Sequence, residues 1–329
     1  MPVDLASLED QHRLLFKIPL KPLLGKRFQP TGFPSLGAAT FQTKKGRSLL
    51  VESAQSMANR LESAIWDDVA HDLKPAVRGL SHVRITRKGD FLTDTVLESH
   101  RLNSPYLLSN SDPTFSNRLR EELGVMDTGP IDRALLAKVL LKYDIGSLIH
   151  GVFLAKKELA GGRLRVARAL SAFIEADGVE VAPSGGVKND HVNPQGDAKS
   201  GFGNVPFARD EYTAEKITLY VNLDLAQMRG YGLGEDAETL MLLLSLYKLR
   251  VLVDQPMRLR TFCDLQVKKG HEVRAFVPKE WALPERTDLE TDLKAAIARC
   301  RSAMEVIEVA YEDELKKKAD AKSSASEND

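Results

Sequence analysis

A strict alternation of apolar and polar residues occupies residues 217–225. The apolar residues are Ile217, Leu219, Val221, Leu223 and Leu225, and the residues between them are Thr218, Tyr220, Asn222 and Asp224. A period of two places the apolar side chains on one face of a β-strand and the polar side chains on the other. We therefore predict a half-buried strand here, which requires a sheet with one face against a core.

Helical periodicity marks four further segments. Ala54, Met57, Ala58, Leu61 and Ile65 form one apolar stripe, and Ser53 precedes it as a predicted N-cap. A second helix is predicted from Ile131 to Tyr143, and a third follows the glycine-rich turn at residues 230–234. A long fourth helix is predicted from Asp288, because Leu289, Leu293, Ile297, Cys300, Met304, Ile307, Tyr311 and Leu315 share one face.

The remaining segments are predicted as strands, loops and a tail. A strand follows Arg168, and the alternation from Leu259 to Val267 and from Val273 to Val277 predicts a hairpin that turns at KKGHE. Residues 109–130 and 182–204 are predicted as inserted loops, the second long, flexible and glycine-rich. Residues 312–329 are predicted to be a disordered tail, leaving a single domain over 1–311.

The charge of the chain is balanced as a whole and uneven along its length. The 46 basic residues equal the 46 acidic residues, which weakly disfavours a nucleic-acid partner. Residues 11–51, however, contain no acidic residue and eight basic ones: Arg13, Lys17, Lys21, Lys26, Arg27, Lys44, Lys45 and Arg47. This segment is either a phosphate-contacting surface or an ordinary solvated basic face.

Motifs of catalysis, metal binding and membrane insertion are not found in the sequence. Cys263 and Cys300 lack metal-ligand spacing, the seven histidines are isolated, and no P-loop or nucleophile elbow is present. The most apolar stretch, Leu240 to Val253, contains Lys248 and Arg250 and is too short for a bilayer. We predict a cytoplasmic protein without signal peptide, catalytic residues, metal or cofactor.

Two pairs of residues keep an acid–base alternative open. His100 lies close to Glu98, and Asp190 precedes His191 in the glycine-rich segment. Either pair could in principle move a proton, but a flexible loop rarely holds catalytic groups in place. A hydrogen-bonding role is the simpler interpretation of both.

Five segments of the chain resemble one protein family in the same order. They are RFQPTGFPSLGAATF (27–41), LLVESAQSMANRLE (49–62), LESHRLNSPYLL (97–108), ALSAFIEA (169–176) and SGGVKNDHVNP (184–194). The family is the Cascade backbone subunit of type I-G CRISPR systems (formerly I-U), in the RAMP superfamily and the Cas family numbered seven. The resemblance extends from about Leu14 to Val277.

This resemblance implies an α+β protein with a ferredoxin-like or RNA-recognition-type palm and inserted fingers and thumb. Copies would stack head-to-tail along the crRNA and hold it for pairing with target DNA, together with other Cascade subunits, with no membrane partner. A subunit that accepts any guide would grip phosphates and 2′-hydroxyls rather than bases. The predicted RNA-binding residues are Lys21, Arg27, Gln29, Gln55, Ser56, Asn59, Arg60, His100, Arg101, Asn103, Arg165, Arg168, Lys188 and Asn189.

Two alternatives to a guide-RNA scaffold remain open from the sequence. Type III relatives use a loop aspartate to cut target RNA, which would give Asp190 a catalytic role. A protein-only assembly module would bind no RNA at all. Cutting of complementary RNA that is lost on Asp190→Ala would favour the first, and purified protein free of RNA would favour the second.

Overall fold

The computed structural model describes residues 2–33, 37–124 and 129–315. In chain order its strands are β1 (Arg13–Pro22), β2 (Gly32–Phe33), β3 (Gly37–Ala38), β4 (Thr40–Thr43), β5 (Gly46–Glu52), β6 (Trp66–Asp67), β7 (Asp72–Leu73), β8 (His82–Arg87), β9 (Asp90–Asp94), β10 (Val152–Leu154), β11 (Leu164–Val166), β12 (Leu170–Lys188), β13 (Val205–Asp224), β14 (Met257–Arg260), β15 (Cys263–Val267), β16 (Arg274–Val277), β17 (Lys279–Ala282) and β18 (Val306–Ala310).

The helices are α1 (Ala54–Ser63), α2 (Pro105–Leu108), α3 (Thr114–Leu123), α4 (Arg133–Tyr143), α5 (Ile145–His150), α6 (Leu225–Gly230), α7 (Glu235–Val253) and α8 (Arg286–Cys300). Short 3-10 turns occur at Ala6–Leu8, Pro75–Val77, Arg101–Asn103, Ala160–Gly162, Ala198–Ser200 and Arg301–Ala303. The protein is therefore a mixed α+β structure.

A large antiparallel sheet organises the chain, in the order β14-β15-β1-β13-β12-β5-β4, with β16 and β17 attached beside β1. In β1, Leu14, Phe16, Ile18 and Leu20 are buried while the residues between them are less so. On the neighbouring strand β13, Leu219, Val221 and Leu223 are buried as the alternation predicts. The half-buried strand is confirmed, although Leu225 begins α6 instead of ending the strand.

The helices cover the buried face of this sheet. Helix α1 packs on β12, and α7 lies against both α1 and α8. The Ser53 side chain accepts a hydrogen bond from the Ser56 N–H, so the predicted N-cap is confirmed. The helices predicted around Ile131–Tyr143 and after the glycine-rich turn are confirmed as α4 and α7.

The predicted loop at residues 182–204 is shorter than expected. Residues 182–188 belong to β12 and extend a two-stranded ribbon, which stays paired as far as Lys188 opposite Val205, while residues 189–204 form the connection that closes it. Gly185 and Gly186 sit inside β12, where the pattern of breakers had predicted a loop. Cross-strand hydrogen bonds with β13 hold these glycines extended, and local propensity could not reveal that pairing.

The predicted hairpin at residues 259–277 is wrong. Strand β15 pairs with β14 and with the end of β1, whereas β16 pairs with β17 and with the first half of β1. Strands β15 and β16 therefore follow one another along the same edge of β1. Alternation identifies each strand but does not say whether the chain reverses between them.

The long C-terminal helix was predicted too long. Helix α8 ends at Cys300, and β18 follows, parallel to β8. The residues Val306, Ile307 and Val309 are β-branched and favour the strand. Within the predicted tail, the Glu312 carboxylate accepts the Lys88 N–H and the Asp313 carboxylate accepts the Ser111 N–H, so these two residues contact the body of the protein. Residues 316–329 lie outside the described residues.

The predicted inserted loop at residues 109–130 contains a helix, α3, which ends before Gly124. Among the described helices, none has the length and apolar character needed to cross a membrane.

Candidate nucleic-acid interface

A cavity of about 520 Å³ brings together residues from four separate segments. It lies between the first turn of α1, the 3-10 turn at Arg101–Asn103, the end of α5, and the β10–β11 hairpin. Six of the predicted RNA-binding residues line it: Gln55, His100, Arg101, Asn103, Arg165 and Arg168. The tertiary fold thus gathers donors that are more than a hundred residues apart in the chain.

Two arginines supply the free positive charge of this cavity. Arg168 donates a hydrogen bond to the Gln55 side-chain oxygen, while its buried Nε has no partner among the described residues. The Arg165 guanidinium lies over the Phe153 ring, 4.6 Å from the ring centroid. No described carboxylate forms an ion pair with either arginine, so both can receive an anion.

Arg101 faces the protein interior and is only 3% exposed. Its guanidinium makes two hydrogen bonds to the Glu62 carboxylate, at 2.8 and 2.6 Å, and a third to the Gly151 carbonyl oxygen at 3.2 Å. This bidentate geometry is the strongest form of an arginine–carboxylate contact. In this conformation Arg101 ties the 3-10 turn to α1 and forms one wall of the cavity.

A buried pair adjoins the cavity, and its histidine is one of the residues that line it. Lys248 of α7 and His150 of α5 are each 1% exposed, and the Lys248 Nζ lies 3.0 Å from the His150 Nε2. Burial, together with the positive charge of Lys248, holds the pKa of His150 well below its usual value. Burial also lowers the pKa of Lys248 to about 8, against the opposing charge of Glu62. At neutral pH the pair is therefore a neutral imidazole beside an ammonium group.

Three more predicted residues lie farther along α1. Ser56 and Arg60 both contact the fully buried Glu52 carboxylate, which also binds Arg260. Arg60 donates as well to the carbonyl oxygens of Arg258 and Leu259, at 3.1 and 2.7 Å. Ser56 and Arg60 therefore connect α1 to the edge of the sheet, while Asn59 is exposed one turn from Gln55.

Lys21, Arg27 and Gln29 lie near the base of the ribbon. Arg27 lines a second cavity, of about 450 Å³, and lies 3.3 Å from the buried Glu211 carboxylate. Gln29 accepts a hydrogen bond from Arg209 at 3.4 Å, and Lys21 is exposed at the end of β1. These residues form a group apart from the first cavity.

Lys188 and Asn189 are exposed where the ribbon ends. Beside them, the Asp190 carboxylate accepts backbone N–H groups from Val192, Asn193 and Gly203, at 2.9, 3.0 and 2.8 Å. These bonds lower the pKa of Asp190 and make it a cap of the turn. Glu98, the other candidate acid, accepts hydrogen bonds from Thr93 and Ser104.

Chemically, the first cavity is suited to holding an anion. Over residues 2–33, 37–124 and 129–315, no cluster of side chains has the composition of a metal site. The cavity combines unpaired guanidinium groups with amide and imidazole side chains, which are the donors that bind phosphate and ribose.

Comparison with known protein families gives one match. The model of the family described as CRISPR-associated protein GSU0053 matches residues 14–181, just over half of the chain. The chain belongs to this family. The segment that matches the family model begins in β1 and ends in β12. It includes all six predicted residues of the first cavity.

A solved structure, "CRISPR RNA-guided surveillance complex, pre-nicking", contains a chain that is 14% identical, with 88% of each chain covered and a TM-score of 0.39. A TM-score this low does not establish a shared fold. No curated protein matches the GSU0053-family chain.

Sequence reasoning missed several residues around these sites. His150 and Lys248 come from α5 and α7, 98 residues apart, and neither belongs to a recognisable motif. Arg209 and Phe262 were also missed. In the structure the Arg209 guanidinium lies 4.5 Å from the Phe262 ring centroid. The positive φ of Phe262 has no sequence signal, so only the fold could identify this pair.

Proposed function

We propose that this chain is a crRNA-binding backbone subunit of a type I CRISPR effector complex, of subtype I-G and the Cas family numbered seven. The observation that carries the proposal is the first cavity, where Arg165 and Arg168 lie without acidic partners among amide side chains. Membership of a CRISPR-associated family supports the RNA partner. A subunit that accepts any guide requires contacts to the backbone, and guanidinium groups supply donors for phosphates.

The proposed architecture is a palm with an attached thumb. The large antiparallel sheet and its covering helices would be a ferredoxin-like palm within a single domain of residues 1–311, and the β12–β13 ribbon would be the thumb. Copies would follow one another head-to-tail along the guide, because a contact that does not close into a ring builds a filament. In this proposal the chain has no catalytic role and works in the cytoplasm with other Cascade subunits and target DNA.

The test of the RNA partner is co-expression with a CRISPR array and the remaining effector subunits, followed by sequencing of the co-purified RNA. We expect guide transcripts to dominate. Binding of single-stranded RNA should weaken steeply with salt, with a slope of about −0.7 in log affinity against log salt for each phosphate contacted. A purification without the array is the control. Absence of RNA affinity even in dilute buffer would contradict the proposal.

The ribbon leads to a separate prediction about assembly. Val187 lies in the ribbon and is 53% exposed, while Val192 and Phe202 lie in the connection that closes it and are 95% and 55% exposed. Exposed apolar groups of this kind mark contact surfaces. Ser184 pairs directly with Arg209, so residues 185–208 can be replaced by Asn-Gly, which forms a two-residue hairpin turn. We expect this variant to keep its melting temperature and to place fewer copies on a guide RNA, as measured by light scattering.

A milder pair of variants separates side chains from backbone. Val192→Ser with Phe202→Ser removes two apolar groups and keeps the ribbon, and should also reduce assembly. The matched control is Val69→Ser, which removes a side chain of a residue that is 94% exposed on a different loop. Unchanged copy number in the shortened variant would mean that the ribbon is only a connection.

A further inference from the structure

Two buried donors in the first cavity have no acceptor. They are the Nε of Arg168 and the Nδ1 of His150, and neither has a hydrogen-bonding partner among the described residues. Buried polar groups in native proteins are almost always satisfied by protein, water or a bound ligand. Both residues line the same cavity, so a bound acceptor that contacted both atoms would satisfy them.

Lys248 determines which nitrogen of His150 carries the hydrogen. An ammonium group can only donate, so the contact of 3.0 Å requires the His150 Nε2 to accept. In a neutral imidazole the hydrogen must then be on Nδ1, which makes the unpartnered atom a donor. The Lys248 side chain is 1% exposed and reaches the His150 Nε2 from α7.

The charges around the cavity favour an anionic acceptor. The Glu62 carboxylate is held by Arg101, and the Asp144 carboxylate accepts from Ser147 and Gly146. Among the described residues neither carboxylate forms an ion pair with Arg165 or Arg168, and Glu62 acts on Arg168 only through its more distant charge. A phosphodiester group has two non-bridging oxygens and matches two N–H donors beside uncompensated guanidinium charge.

We propose that the floor of this cavity binds one backbone phosphate of an RNA strand, with Arg168 Nε–H and His150 Nδ1–H as donors and Lys248 as the positioning residue that fixes the His150 tautomer. This inference rests on the proposed function. It adds His150, a neutral hydrogen-bond donor, to the cationic arginine donors of the cavity. A neutral donor contributes to affinity without releasing a counterion. The two kinds of donor therefore differ in their effect on the salt dependence.

The experiment compares His150→Gln with His150→Asn in the full chain, using a short fluorescent single-stranded RNA of mixed sequence. The glutamine amide reaches the Nε2 position and leaves Nδ1 without a donor, whereas the asparagine amide places a donor near Nδ1. We expect His150→Gln to weaken RNA binding about tenfold with an unchanged salt slope. His150→Asn should lose clearly less affinity than His150→Gln.

Arg168→Gln tests the charged donor of the site in the same assay. It should weaken binding and also reduce the magnitude of the salt slope by about 0.7. Arg299→Gln, which removes an exposed arginine of α8, is the control for loss of one charge. Lys248 itself contacts no RNA in this proposal. Lys248→Met should still weaken RNA binding, because His150 then loses the contact that fixes its tautomer.

A measurement on the unmodified protein does not depend on whether these variants fold. Side-chain ¹⁵N spectra of histidine, with His150 assigned from His150→Asn, should show a protonated Nδ1 and an unprotonated Nε2. Added RNA should shift the Nδ1 signal, and inorganic phosphate should compete. Three results would each overturn the phosphate site while leaving RNA binding elsewhere intact. They are a protonated Nε2, an Nδ1 signal that does not shift with RNA, and equal RNA affinity of the parent and the folded His150→Gln variant. Failure of the parent to bind RNA would instead overturn the proposed function.

Discussion

Replacing Arg101 with methionine is expected to destabilise the fold by about 3–5 kcal/mol, the range for removing one partner of a buried ion pair. Arg101 is 3% exposed and Glu62 is 2% exposed, and the two make a bidentate contact. Methionine fills much of the same volume but leaves the Glu62 carboxylate buried without its guanidinium. The loss should appear as a lower midpoint in urea unfolding.

The size of this loss should depend on pH. Burial raises the pKa of Glu62 to about 7 even with Arg101 opposing the rise, and removal of Arg101 takes that opposition away. In the variant the folded state therefore holds a proton on Glu62 more tightly than the unfolded state does. Parent and variant both lose stability as pH rises above the unfolded pKa of about 4.5, but the parent stops losing it above pH 7, where its Glu62 is ionised, while the variant continues to lose it. The destabilisation should therefore be larger at pH 9 than at pH 6.

The double variant Arg101→Met with Glu62→Gln is the control for this explanation. It removes the carboxylate, so it should recover part of the stability and lose the added pH dependence. The sequence had predicted Arg101 to bind RNA. A variant Arg101→Met with the stability of the parent and weaker RNA binding would favour that role over the structural one.

The largest expected effect on RNA binding comes from Arg165→Gln combined with Arg168→Gln. Each change removes a charged hydrogen-bond donor from the first cavity and leaves the backbone unchanged. Hydrogen bonds to charged groups contribute about 1.5–3 kcal/mol each, so the double variant should lose about 100-fold or more in affinity. The slope of log affinity against log salt should become shallower by about 1.4, which is two phosphates.

The matched control removes the same charge elsewhere. Arg299 is exposed and Arg286 is partly exposed on α8, and they form ion pairs with Asp236 and Glu290 respectively. Such pairs contribute little to stability, so Arg286→Gln with Arg299→Gln should fold normally. If both double variants lost RNA affinity equally, the effect would be one of net charge, and the cavity would not be the RNA site.

Much of the local structure could be predicted because its causes are local. The apolar stripe and Ser53 define α1, and strict alternation defines β13, since side-chain periodicity follows directly from backbone geometry. The errors arose where one pattern fits two structures. The spacing after Cys300 fitted a continued helix, yet β18 gains a ladder of hydrogen bonds from β8, more than 200 residues earlier in the chain.

The sequence by itself determined which residue types are available as donors and in which elements they occur. Gln55, Asn103, Arg165 and Arg168 could be singled out from segments that resemble one family or lie beside them. Only the tertiary structure decided which donors are free. Arg101 and Arg168 are both arginines in polar segments, but one meets Glu62 across 39 residues and the other meets no described carboxylate. Whether a charge is neutralised depends on contacts within a few ångströms in space, and distance along the chain does not encode them.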